Sequence, residues 1–273
     1  MFDTHCHLQF QAFEGKVKEI IEEARRAGVY DFVVPGTDIE TSQKAVEIAG
    51  SYKNVYAAVG IHPHHIYEIQ SSKFKMQNNL EKLKLLLQQK KVVAVGEIGL
   101  DRHAYMKTKY KEYVITDEFI LLQKELFVAQ LRFAKEYQKS VIIHNREAKD
   151  EMLKILENHW DPFFSGKMVF HCCEPDGDLL DFAKKNNIFI GVDGDLTYRV
   201  DKQNFVRDVP LDLLVIETDA PFLTPAPIRE GQRFPNRPAH LIHLRKMLAD
   251  IYGKEERYID EVTTKNAKEL FQL

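Results

Sequence analysis

Four histidines and two carboxylates carry most of the chemistry available to this sequence. His5 and His7 close the first apolar run, Met1-Phe2-Asp3-Thr4-His5-Cys6-His7. Glu97 closes Val92-Val93-Ala94-Val95-Gly96-Glu97, and His144 closes Val141-Ile142-Ile143-His144. His171 closes Met168-Val169-Phe170-His171, and Asp219 closes Leu214-Val215-Ile216-Glu217-Thr218-Asp219. Imidazoles and carboxylates hold divalent cations in hydrolytic sites. Two residues apart on a strand, His5 and His7 point to one side and Cys6 to the other, so the pair can grip one cation. Glu97 has glycines close by at Gly96 and Gly99, which let other groups approach, and its two oxygens can bridge two cations. His144 and His171 end successive runs, and paired parallel strands lie about 4.8 Å apart, so both can reach a second cation. Asp219 can complete the first cation's shell or take a proton from a metal-bound water. The implied cofactor is two divalent cations of the Mg, Mn or Zn kind, and the implied chemistry is metal-assisted hydrolysis, with Glu97 and Asp219 as catalytic carboxylates.

Each residue alone has an ordinary reading too: a packed strand-end histidine, or a Glu97 paired with Arg102. Joint placement is what favours the metal reading, and it requires a fold that gathers strand ends. Eight β-like runs are present: Met1–His5, 31–35, 55–60, 92–97, 141–144, 168–171, 189–192 and 214–217. Most are dense in Val, Ile and Phe without alternation, as in strands buried on both faces. Helix-period stripes lie between them. They are Val17/Ile20/Ile21/Ala24/Ala27 with Gly28 as a cap, Leu80/Leu83/Leu87, Phe119/Leu122/Leu126/Ala129/Phe133 and Met152/Ile155/Leu156. Helical segments near 239–251 and 260–271 follow a Pro-rich loop from Pro221 to Pro238. Alternating β and α predicts a parallel sheet, and eight repeats predict a closed (β/α)8 TIM-type barrel, an α/β fold with its active site at the carboxyl ends of the strands. An open doubly wound sheet is the rival.

At 273 residues, the chain fits one barrel domain of about 250 residues, spanning 1–273 without a Pro-, Gly- or Ser-rich linker. A net charge of −3 argues against a surface coated for DNA binding, yet bound cations would offset the site carboxylates locally. Three cysteines make no disulfide framework. No apolar run approaches the roughly 18 residues of a membrane span, and the first residues do not read as a signal peptide. The expectation is a cytoplasmic protein with no membrane association and no stable protein partner.

Other residues are weaker candidates. His62 and His64, in Gly60-Ile61-His62-Pro63-His64, could contact a substrate oxyanion. Arg146, two residues after His144, could bind phosphate bidentately, or pair with Glu147 or Asp150. Arg229, Asn236 and Arg237 could line a substrate groove. Asp3 could orient a ligand or merely pack, and Glu217, lying deeper than Asp219, reads as a supporting residue. A Cys172 or Cys173 thiolate ligand is conceivable, although buried free cysteine is commoner. The segment from Arg102 to Asp117 is long for a βα loop and mixes Lys/Arg with three tyrosines. It should overhang the site, where basic and aromatic groups suit phosphates and stackable bases, or it is simply a solvated loop.

Six stretches together resemble the TatD family of metal-dependent deoxyribonucleases, within the amidohydrolase superfamily. They are Asp3-Thr4-His5-Cys6-His7-Leu8, Gly60-Ile61-His62-Pro63-His64, Val95-Gly96-Glu97-Ile98-Gly99-Leu100-Asp101, Val141-Ile142-Ile143-His144-Asn145-Arg146, Phe170-His171-Cys172 and Glu217-Thr218-Asp219-Ala220-Pro221. The first motif is shared across amidohydrolases, while the glutamate motif and Glu-Thr-Asp-Ala-Pro are more specific. The resemblance implies a barrel in which His5, His7, Glu97 and Asp219 hold one cation and Glu97, His144 and His171 the other. It implies hydrolysis of DNA phosphodiesters, often as an exonuclease. The alternatives are an amidohydrolase acting on an amide, lactone or ester, and a non-catalytic nucleic-acid-binding or scaffold protein. Two departures concern substrate choice: His171-Cys172-Cys173-Glu174-Pro175-Asp176-Gly177 replaces the family's His-Cys-Phe-Ser-Gly, and the Arg102–Asp117 loop looks longer than usual.

Overall fold

The computed structural model describes residues 1–70, 72–106, 108, 110 and 113–273. Eight strands pair in parallel in strict chain order: β1 (Phe2–Asp3), β2 (Asp31–Pro35), β3 (Val55–Val59), β4 (Val92–Asp101), β5 (Ser140–Arg146), β6 (Met168–Phe170), β7 (Phe189–Val192) and β8 (Leu214–Ile216). The ring closes between the last strand and the first. Thr4 N–H donates to the Ile216 carbonyl, His7 N–H donates to the Ala220 carbonyl at 2.7 Å, and Cys6 bridges Ala220 in parallel. A closed barrel therefore replaces the open-sheet rival. The helices are α1 (Val17–Arg26), α2 (Ile39–Ser51), α3 (Ile66–Ile69), α4 (Lys73–Leu87), α5 (Asp117–Glu136), α6 (Lys149–His159), α7 (Gly177–Asn186), α8 (Val200–Asp208), α9 (Ile228–Gly231), α10 (Leu241–Tyr252) and α11 (Glu256–Phe271).

Local signals account for the helix ends. Asp38 caps α2 through a reciprocal pair with Thr41, and Thr116 and Asp176 accept the third amides of α5 and α7. Gly28, at φ 88°, stops α1 as its position implies. Helices α2, α7 and α8 have no counterpart in the stripes read from the sequence.

The core has two layers. Outside the barrel wall, alternate strand residues pack against the helices. Inside, one side chain from each strand meets in the lumen: Phe2, Val33, Ala58, Ala94, Ile142, Val169, Phe189 and Val215. Ala267, Leu270 and Phe271 at the end of α11 pack against this set. Strand parity then decides what stands above the lumen, since side chains at i and i+2 share a face. Two residues on from Ile142, Val169 and Val215 come His144, His171 and Glu217. Four on from Ala58 and Val215 come His62 and Asp219.

Glu97 breaks this parity, being three residues beyond Ala94. The pairing explains it: Val95 faces Val141 and Ile98 faces Ile143, so β4 carries one extra residue, a bulge at Gly96–Glu97. The bulge turns Glu97 inward, and β4 runs on to Asp101 instead of ending at Glu97. Gly99 lies beyond it at φ 147°, where an added Cβ would meet the His144 carbonyl oxygen at 1.9 Å. Only glycine lets the two strands come this close there. His144 likewise sits within β5, which continues to Arg146. His5 and His7 lie past β1, which ends at Asp3, so strand alternation does not place them. The β8–β1 closure bonds do.

Candidate metal centre

At the carboxyl mouth of the barrel, the donor atoms of His5, His7, Glu97 and Asp219 converge. His5 Nε2 lies 3.2 Å from His7 Nε2, 3.5 Å from Glu97 Oε2 and 3.7 Å from Asp219 Oδ1. His7 Nε2 is 3.3 Å from Asp219 Oδ1 and 3.9 Å from Glu97 Oε2. Ligands held at about 2.0–2.2 Å around a tetrahedral cation stand roughly 3.3–3.6 Å from one another. These separations have that scale. Two imidazole nitrogens facing each other at 3.2 Å, buried beside two carboxylates, fit a shared cation better than packing alone.

The other oxygen of Glu97 faces a second set. Glu97 Oε1 is 2.7 Å from His144 Nδ1, 3.4 Å from His62 Nε2 and 3.7 Å from His171 Nε2. The donor atoms of Glu97, His144 and His171 all lie within 4.8 Å of one another, as do those of His5, His7 and Glu97. One carboxylate thus spans two donor groups, an oxygen to each.

Neighbouring acceptors aim the rings. His7 Nδ1 is 3.1 Å from the Pro35 carbonyl, which leaves Nε2 for the centre. His171 Nδ1 is 2.9 Å from Glu217 Oε1, which also accepts the Cys172 amide at 2.6 Å, while Thr4 Oγ1 donates to Glu217 Oε2. Glu217 therefore supports His171, the secondary role its depth suggests. His144 Nε2 is 3.3 Å from Asp101 Oδ2, and that carboxylate accepts from the Tyr105 hydroxyl and the His103 amide. Asp3 accepts from the Thr218 amide and hydroxyl and from the His5 amide, so it ties β1 to the turn carrying Asp219 instead of touching a ring. Asp219 adopts φ 48°, a left-handed conformation uncommon outside glycine and found at functional turns.

The electrostatics are mutual. Burial opposes charge on Glu97, but His62, His171, His144 and His5 hold its carboxyl well below the usual range. Burial also opposes charge on His171 and His144, yet Glu217 and Glu97 lift the first to about 10, and Asp101 and Glu97 lift the second to about 9. His5, fully buried and stacked on His171 at 3.5 Å, is pushed down to about 4 and stays a neutral donor. Burial and nearby acids push the Cys172 thiol well up, so it is a thiol beside His171 and Asp219 rather than a ready thiolate.

These groups stand at the floor of a cleft of about 740 Å³. His62 lines the cleft with its ring against Glu97 and His144. His64 lines the cleft and stacks on Tyr113 at 4.4 Å. Arg146 also lines it, bonding the Tyr105 hydroxyl at 3.2 Å with its guanidinium over that ring. Arg102, the ordinary partner envisaged for Glu97, instead pairs with Glu151. Of the long β4–α5 segment, Tyr105 reaches the cleft, as an overhanging loop should. Its Lys107, Lys109, Lys111 and Glu112 lie outside the described residues. Asn236 holds the Pro-rich loop from inside, donating to the Thr218 and Leu223 carbonyls, while Arg237 pairs with Glu23 away from the cleft. Arg229 lies over the Tyr198 ring.

Sequence reasoning passed over several residues. Asp101 lies four residues beyond Glu97 on the part of β4 that follows the bulge, and so shares its face. Gln123 and Gln130, seven residues apart on α5, clamp the backbone of Asp101 and Ile61 with paired hydrogen bonds. Lys202, wholly buried, bonds Asp193 at 2.8 Å and pairs with Asp195 at 2.6 Å beside the cleft. No local pattern marks these.

The sequence matches the family described as TatD related DNase over residues 2–272. It is 33% identical to an uncharacterized metal-dependent hydrolase, YabD, of Bacillus subtilis, covering 100% of this chain and 99% of that protein. It is 30% identical to the 3'-5' ssDNA/RNA exonuclease TatD of Escherichia coli, again over 100% of this chain and 99% of the relative. Among solved structures, the TatD homologue YJJV of Escherichia coli superimposes with a TM-score of 0.86 at 29% identity, covering 100% and 98% of the two chains. A TatD family hydrolase of Entamoeba histolytica, at 18% identity, shares the fold with a TM-score of 0.82 over 99% and 97%.

Proposed function

The chain belongs to the TatD related DNase family of metal-dependent hydrolases, and we propose that it cleaves DNA phosphodiester bonds from strand ends, as an exonuclease, with residues 1–273 acting as one catalytic domain. The observation that carries this reading is the divided Glu97 carboxylate, with Oε2 toward His5 and His7 and Oε1 toward His144 and His171. We assign His5, His7, Glu97 and Asp219 to one divalent cation and Glu97, His144 and His171 to a second. The exonuclease name of the 30%-identical relative supports the substrate class. Three free cysteines suit a reducing cytoplasm. Among the described residues, no helix is long and apolar enough to cross a membrane.

Divalent cations bound there would supply positive charge to the phosphate and lower the pKa of an attacking water. The chain's own groups do the rest. Asp219, which lines the cleft, would receive the proton of that water. His7 and His171, fixed through Nδ1 by Pro35 and Glu217, keep Nε2 turned inward. Arg146 on the rim offers a planar pair of donors to a phosphate, and His64 and His62 line the path to it.

A time course on end-labelled single-stranded and duplex DNA tests the reading, using protein stripped by chelator and refilled separately with Mg, Mn or Zn. Loss of terminal nucleotides that returns with metal is the expected result. Inactivity on DNA with turnover of ester, lactone or amide substrates would assign the site to acyl hydrolysis instead. Inactivity on both, with no metal retained, would leave a binding protein.

A further inference from the structure

Beside His7, the mouth also carries a cluster of phenylalanine rings. Phe10 stacks flat on the His7 imidazole, with centroids 4.3 Å apart and planes 8° from parallel. Phe222 stands edge-on to both, 6.1 Å from Phe10 and 6.3 Å from His7. Phe234 continues the series at 6.2 Å from Phe222. Phe10 and Phe222 line the same cleft as His7, Glu97 and Asp219. Phe222 is 45% exposed and Phe234 54%, so neither ring is explained by the core.

Their backbone is nevertheless held firmly. The Phe222 amide donates to the Asp219 carbonyl at 2.8 Å, so the ring is set by the same tight turn that sets Asp219. Asn236, fully buried, fastens the strand of chain carrying Phe234 to that turn: its amide donates to the Pro221 carbonyl and its side chain to the carbonyls of Thr218 and Leu223. An exposed apolar ring on a fixed backbone, beside a site for charged ligands, is a surface prepared for a flat partner. A nucleobase fits by continuity. The strand whose phosphate lies over Asp219 and His7 carries a base one sugar away, on the scale of the spacing between His7 and Phe222. Aromatic rings accept any base through its π face, without sequence choice.

We propose that Phe222, backed by Phe10 and flanked by Phe234, is a stacking platform for the unpaired nucleobase next to the phosphodiester being cut. The inference rests on the nuclease reading and adds to it the residues that hold the base and a reason for preferring unpaired ends. A base inside a duplex has both faces covered by its neighbours, so it reaches Phe222 only after leaving the stack.

The test is a double-mutant cycle on the metal-loaded enzyme. One axis is Phe222→Ala; the other is a single abasic residue stepped inward from the end of a labelled single strand. The wild type should degrade the intact strand and slow about tenfold when the abasic residue occupies the platform. Phe222→Ala should raise KM on the intact strand about tenfold and show no further penalty at the abasic position. Phe222→Trp should behave as wild type, and Phe222→Leu as the alanine variant. Equal abasic penalties in wild type and Phe222→Ala would overturn the platform while leaving the nuclease reading intact. A wild type that leaves the intact strand whole overturns the nuclease reading, and the platform falls with it.

Discussion

Glu217 offers the sharpest test of how the centre is held. It is buried, and its Oε1 receives two donors, His171 Nδ1 at 2.9 Å and the Cys172 amide at 2.6 Å. Thr4 Oγ1, which donates to Oε2, has the Ile216 carbonyl at 3.1 Å as an alternative acceptor. Glu217→Ala therefore strands two buried donors, at about 1–3 kcal/mol each, for a loss of roughly 2–6 kcal/mol. Glu217→Gln keeps an acceptor oxygen for both donors and should cost no more than about 1–2 kcal/mol. It removes the negative charge, however, and with it part of what makes the His171 ring basic. Replacing an outer partner of a metal-binding histidine typically costs about 10–100-fold in metal affinity or activity. The two variants thus separate folding from cation binding. Urea melts of the metal-free proteins should rank alanine well below glutamine, with glutamine near wild type. Calorimetric titration with Mn2+ should show weakened binding for glutamine despite its near-native stability. A glutamine variant with wild-type Mn2+ affinity would refute the claim that Glu217 tunes a ligand at His171.

Three further outcomes follow from neighbouring packing. An added Cβ at Gly191 would lie 2.7 Å from Glu217 Oε1, so Gly191→Ala should displace that carboxylate and reproduce the weakened Mn2+ binding of Glu217→Gln, measured by the same titration. Gln130→Leu leaves the amide and carbonyl of buried Ile61 without partners, and it should lower stability by about 2–6 kcal/mol in urea melts; a loss under about 0.5 kcal/mol would mean that this clamp is dispensable. Lys202→Met strands the buried Asp193 carboxylate and leaves Asp195 with Arg199 alone, at 3.2 Å, and should cost about 3–5 kcal/mol at neutral pH. The pH dependence has a definite sign. Burial opposes charge on Asp193, but Lys202 holds its carboxyl below the ordinary 3.8, so its stabilisation is full above that value and is lost as pH falls below it. Without the lysine, that carboxyl should move up, and the deficit of Lys202→Met against wild type should shrink as pH falls from 8 to 4. A deficit equal at both ends would show that lost packing, not charge, is responsible.

The barrel was legible because its strands, buried on both faces, are written as short unbroken apolar runs. Asp31–Pro35 and Phe189–Val192 match their expected bounds, and the other runs shift by a few residues at their ends. The meeting of His144, His171 and Asp219 was legible for the same reason: a parallel barrel brings every carboxyl end to one mouth, whatever the separation in sequence. Other placements were reached by a simpler rule than the structure uses. His5 and His7 were expected to share a strand face, but they lie beyond β1 and are aligned by backbone bonds to Ala220 and Asp219. Glu97 was expected at a strand end, but a bulge inside β4 turns it inward. A bulge adds one residue to a ladder and is invisible without the partner strand, so its only trace in sequence is the pair of glycines around it.

What stayed hidden shares one physical property: its partners are distant and its residue types are ordinary. A glutamine on α5 looks like solvent-facing helix until the backbone of Ile61 or Asp101 is brought against it. Lys202 looks like surface charge until Asp193 and Asp195 enclose it. Phe222 looks like core, and only its exposure beside His7 shows otherwise. The candidate cation donors stood out more readily because cation binding restricts residue type, and barrel topology restricts position. Base stacking restricts neither so tightly, since any exposed ring near the mouth can serve. Sequence alone therefore speaks more clearly about how this site does chemistry than about what it holds. It follows that variation at Phe222 and Phe234 should alter substrate preference while leaving Mn2+ affinity at the His5/His7 and His144/His171 sets unchanged.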